Sequence, residues 1–134
     1  MKASELRIGN LVKDQSDKNR VWSVVGISNI TIDVRDLGGT SEHPQLCEFI
    51  QAIPLTEEWL LKFGFKNVEG WGFEIPITEH GGDGACVIAL YHGQYYIIPA
   101  DGPTIGHWIN APIQYIHQLQ NLYLALTGEE LEIK

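Results

Sequence analysis

A chain of 134 residues, 44% hydrophobic and 19% charged, is long enough to bury a core without a disulfide or a metal. Nine Lys and Arg against seventeen Asp and Glu leave a net charge of −8, which argues against binding nucleic acid through general phosphate attraction. Cys47 and Cys86 form no CxxC pair and read as reduced, buried thiols. The start, Met1-Lys2-Ala3-Ser4-Glu5-Leu6-Arg7, lacks the apolar run of a leader, and no stretch approaches the roughly 20 apolar residues of a membrane span. A cytoplasmic protein with no membrane association is expected.

Leu6-Arg7-Ile8-Gly9-Asn10-Leu11-Val12 places a Gly-Asn turn directly before a strand. Residues 14–19 read as a polar loop. Val21–Ile27, rich in β-branched and aromatic residues, predicts a second strand. Ile30–Asp36 alternates apolar and polar residues and predicts a third, with Ile30, Ile32 and Val34 facing inward. A loop over 37–44 and a short strand over 46–50 follow. Short strands joined by turns point to a small meander or SH3-like barrel.

Residues 53–64 carry the clearest local signal. Thr56 is a good N-cap, and Glu57 and Glu58 suit the positive end of a helix dipole. Leu55 and Leu60 occupy staple positions, and Gly64 suits the C′ site. A two-turn helix over 56–63 is predicted. Strands follow at 71–77, 85–91 and 94–98, connected by turns at 79–84 and at His92-Gly93. Leu119, Leu122, Tyr123 and Leu126 keep helical spacing, which predicts a helix over 117–127 closed by Gly128. Residues 112–116 before it read as a last strand, with the first turn of the helix as the alternative. The fold class expected is α+β, mainly antiparallel, with an SH3-like or meander N-terminal portion and two helices. The chain reads as one domain, with subdomains at 1–52 and 53–134 as a finer division.

Charge is distributed unevenly. Residues 84–128 contain one formal charge, Asp101, and the other twenty-five lie outside that window. Charged side chains are rarely fully buried, so this window is expected to be interior. Even the second helix is uncharged, with His117, Gln118, Gln120 and Asn121 as its polar side. A surface helix normally carries a charged face. Two explanations fit: cover from the chain's own sheets, or contact with a second molecule. Near the other end, Lys13, Lys18 and Arg20 form a small basic cluster best read as a solvated loop.

The segment Glu79-His80-Gly81-Gly82-Asp83-Gly84-Ala85-Cys86 gathers a histidine, two carboxylates and a thiol. The spacing matches no zinc or nucleophile–base pattern, and three glycines between strands are better read as a hairpin connection. It opens a strand and has no Lys, so it is no phosphate loop. His43, His80, His92, His107 and His117 show no HExxH arrangement. Glu57 and Glu58 point in different directions on a helix and form no facing acid–base pair. Trp59, Trp71, Tyr95, Tyr96 and Trp108 read mainly as core, with an exposed binding cluster as the alternative. No catalytic residue, cofactor or metal site is assigned.

Three landmarks carry a family resemblance: Leu6–Val12, Ile53–Phe65, and Ile116–Leu131 with its run Ile116-His117-Gln118-Leu119-Gln120-Asn121-Leu122-Tyr123-Leu124-Ala125-Leu126-Thr127-Gly128-Glu129-Glu130-Leu131. On these the chain resembles a family of small uncharacterised proteins of Bacteroidetes phages, prophages and mobile elements. The resemblance implies a bacterial host and a mobile-element origin, and it carries no catalytic residues. The function expected is that of a non-enzymatic accessory protein acting through protein–protein contact, with an unidentified protein partner or a second copy of itself. Two alternatives are a small hydrolase or metal-dependent enzyme using His80, Asp83 and Cys86, and an acidic DNA mimic.

Overall fold

The computed structural model describes residues 1–69, 72–76, 86–91, 94–99, 107–108 and 113–134. The fold is α+β and mostly antiparallel β, with two α-helices. The chain divides into two compact units, Met1–Pro54 with Gln114–Leu122, and Leu55–Ile113 with Tyr123–Lys134.

The first unit is a five-stranded sheet in the order β4-β3-β2-β1-β5. Its strands are β1 (Leu11–Asp14), β2 (Val21–Ile27), β3 (Thr31–Asp36), β4 (Glu42–Leu46) and β5 (Ile50–Gln51). Four strands form the predicted meander, and the fifth returns to the outer side of β1. This is SH3-like connectivity. Alternation does what the sequence requires: Trp22, Val24, Ile32 and Val34 point inward from adjacent strands and are at most 1% exposed. Leu6, Val12 and Ile50 complete that core. Each such aliphatic side chain contributes about 1.5–3 kcal/mol by leaving water.

Three expectations fail in this unit. Ile30 does not face inward; it sits in the β2–β3 turn and is 69% exposed, because the strand begins only at Thr31. The strand expected over 46–50 is broken by a 3-10 turn at Cys47–Phe49, so β4 lies earlier, inside the expected loop. The Cys47 thiol is free and only half-buried.

The second unit holds helix α1 (Glu57–Lys62) and a sheet in the order β10-β9-β8-β7-β6. The strands are β6 (Lys66–Val68), β7 (Gly72–Pro76), β8 (Cys86–Tyr91), β9 (Gln94–Pro99) and β10 (His107–Trp108). Sequence reading missed β6 and β10, which are too short to show a period. Helix α1 begins and ends as predicted. Thr56 Oγ1 accepts the Trp59 N–H at 3.4 Å. At the other end Gly64, at φ 90°, donates to the Leu61 carbonyl, and the Phe65 N–H reaches the Leu60 carbonyl, both at 3.0 Å. That pair of bonds is a Schellman closure, and Leu60, Phe63 and Phe65 beside it are buried.

Helix α2 (Ile116–Thr127) contributes Ile116–Leu122 to the first unit and Tyr123–Thr127 to the second. The residues before it are no strand: Tyr115 makes one isolated bridge to Pro54, and the Ile116 N–H donates to the Ile53 carbonyl at 2.9 Å. Residue 112 and the expected turns at 79–84 and 92–93 lie outside the described residues.

Candidate functional site

The uncharged face of α2 turns out to be an inward face. Ile116, His117, Leu119 and Gln120 are buried, whereas Ala125 and Leu126 are exposed. Polar groups placed inside a protein must find partners, and amides do so without carrying a charge out of water. Gln120 Oε1 accepts the Leu11 N–H at 2.8 Å, and Gln120 Nε2 donates to the Gly9 carbonyl at 3.2 Å. Asn10, also fully buried, donates through Nδ2 to Asn121 Oδ1 at 2.9 Å and accepts the Arg7 N–H at 2.8 Å. Arg7 Nε reaches the same Asn121 oxygen at 3.0 Å.

The first turn of α2 borders an open cleft of about 700 Å³ that also touches Glu5, Gln51 and Asn121. Gln118 accepts the Gln114 and Tyr115 N–H groups at 2.8 and 3.1 Å, half of a capping box. Tyr115 and His117 stack with ring centroids 5.9 Å apart. His117 is 4% exposed, and its Nδ1 has no hydrogen-bond partner. Burial pushes its pKa below the ordinary histidine value, while the Glu5 carboxylate pulls the other way.

A second feature lies at the turn between β2 and β3. Ile30, at 69% exposure, and Leu46, at 40%, flank a shallow groove of about 540 Å³ that also touches Ala3 and Cys47. Ile27, at the end of β2, is exposed as well.

No family model, curated protein or solved structure matches the chain.

The residues singled out from sequence fall as follows. Arg20, expected in a solvated basic loop, pairs bidentately with Asp36, whose Oδ1 also accepts the Trp22 indole N–H at 2.8 Å. Arg20 therefore tethers the β1–β2 loop to β3; Lys18 stays exposed. Glu57 and Glu58 are exposed in the first turn of α1, and Glu58 pairs with Lys62 at 3.2 Å. Trp59 is half-buried against Phe63, with the Lys62 ammonium over its ring. His43 meets the Trp22 ring edge-on. His80, His92 and Asp83 lie outside the described residues, as do the side chains of Cys86, His107, Trp71, Tyr95, Tyr96 and Trp108. Among the described residues no group of three or more His, Cys, Asp or Glu is placed to hold a metal ion. Sequence reading missed the Asn10–Gln120 network and the apolar turn at Ile30. The second had a signal: an isoleucine in the Ser28-Asn29-Ile30 turn, where polar residues are the rule.

Proposed function

We propose that this chain is a non-enzymatic accessory protein, of phage or prophage origin in a bacterial cytoplasm, that works by binding another protein. The observation that supports the reading is the apolar turn of the first unit. Ile30 and Leu46 stand exposed beside a groove, although Trp22, Val24, Ile32 and Val34 of the neighbouring strands are buried. Exposed apolar side chains gathered in one place mark contact surfaces. Lys2 and Glu48 border the same groove, so an apolar centre with a rim of mixed charge is the expected recognition chemistry. The three sequence landmarks support the mobile-element origin, and two of them, Leu6–Val12 and the start of α2, share one hydrogen-bond network.

The test is site-specific photocrosslinking of the full chain in bacterial cells, with the reactive residue at position 30 or, as a control, at position 18. A discrete adduct from position 30 alone supports the reading; its mass separates a foreign partner from a second copy. Equal labelling at both positions, or none at position 30, contradicts it. A companion Ile30→Asp variant is expected to stay within ±0.5 kcal/mol of wild-type stability, as exposed substitutions do.

A further inference from the structure

His117 is hard to reconcile with a protonated ring. It occupies the first turn of α2, where the helix dipole disfavours a cation. It is 4% exposed, and Nδ1 has no acceptor to receive a proton's hydrogen bond. Among the described residues, the charged and titratable groups around the cleft are Glu5, the Met1 amino group and Tyr115. The amino group is cationic and turned to the Cys47 carbonyl at 3.4 Å. Strand β5 offers only the uncharged Ile50 and Gln51. Arg7, a further cation, bonds to Asn121 one turn along. Glu5 alone favours an imidazolium, and it is exposed to solvent.

We propose that His117 is an acid-operated latch: protonation turns the ring outward toward Glu5 and unseats residues 115–120 from the edge formed by β1 and β5. The bonds given up are those that this segment makes locally. They are Ile116 N–H to the Ile53 carbonyl, and the Gln120 side chain to Leu11 and Gly9. The central strands β2 and β3 take no part in them. Partial opening of one segment, with the rest intact, is an ordinary property of native proteins.

Hydrogen exchange of the full chain from pH 7.5 to pH 5, expressed as protection factors, tests this. Selective loss of protection at Ile116, Gln120 and Leu11, with β2 and β3 retained, is expected. His117→Gln, a neutral replacement, is expected to remove the pH dependence, and Glu5→Gln to move the opening to lower pH. A second readout uses the wild-type protein alone, should His117→Gln not fold: the His117 imidazole resonances followed by NMR. A ring that titrates at or above the ordinary histidine value overturns the proposal. So does unchanged protection in α2 at pH 5, or equal loss in β2 and β3.

Discussion

Gln120 places its side-chain oxygen 2.8 Å from the Leu11 backbone nitrogen, on the side of β1 that β5 does not reach. The even-numbered residues of this stretch bond to the β2 side, as the Val24-to-Asn10 and Asp14-to-Arg20 bonds show. Leu11 therefore presents its N–H to the opposite side, where β5 reaches only as far as Lys13 and Asp14. A side-chain amide continues the ladder that the short strand leaves unfinished. Truncation in Gln120→Ala strands both the Leu11 N–H and the Gly9 carbonyl. A cost of about 2–3 kcal/mol is expected, measured by urea denaturation.

The two halves of α2 are expected to respond differently to the same change. Leu119 is fully buried, so Leu119→Ala should destabilise by about 2–5 kcal/mol through lost burial and a residual cavity. Leu126 is 38% exposed, and Leu126→Ala should cost clearly less. Paired urea midpoints check the contrast; equal costs would contradict the burial described for the helix.

Gly64 closes α1 in a left-handed conformation, and a Cβ there would stand 3.0 Å from Lys134 Cγ. Gly64→Ala is therefore expected to cost about 1 kcal/mol or more, although alanine is the better helix former. A thermal midpoint below wild type is the predicted readout.

Acid sensitivity has a second source at Asp36. The hydrogen bonds from Arg20, with a further one from Trp22, hold its carboxyl below the ordinary value of 3.8. A folded-state pKa below the unfolded one means that the unfolded chain takes up the proton first. The stabilisation is therefore present above about pH 4 and is lost as the pH falls through 3.8 toward the folded value. Asp36→Asn should lower stability at neutral pH and flatten the decline between pH 5 and 3, followed by urea midpoints with tryptophan fluorescence.

Much of the fold was legible because the signals were local. Thr56, Gly64 and the acidic first turn define α1 with no help from distant residues. The β2 bounds came from β-branched and aromatic composition. What escaped detection depended on distant partners. The 3-10 turn at Cys47–Phe49 interrupts a run that reads as a strand because its β-forming residues continue on both sides. Ile30 fits the alternation of β3, but the strand begins one residue too late for it to be buried. The lack of charge on α2 was readable and its burial was expected, yet its polar residues looked like the outer face. In fact His117 and Gln120 lie inside, because Gln120 finds backbone partners 109 and 111 positions away. No periodicity rule carries that information. At the candidate site, the sequence pointed to the loop 79–86 and to the aromatic residues, and it overlooked the cleft at His117 and the apolar turn at Ile30.

The amide of Gln120 acts as a rung of the first unit's sheet. NMR measurement of couplings transmitted across hydrogen bonds tests this directly in the full chain. A coupling between the Leu11 nitrogen and the Gln120 side-chain carbonyl carbon is predicted, similar in size to that of the Val24-to-Asn10 rung at 2.9 Å. Detection of the Val24 rung with no coupling at Leu11 would contradict it.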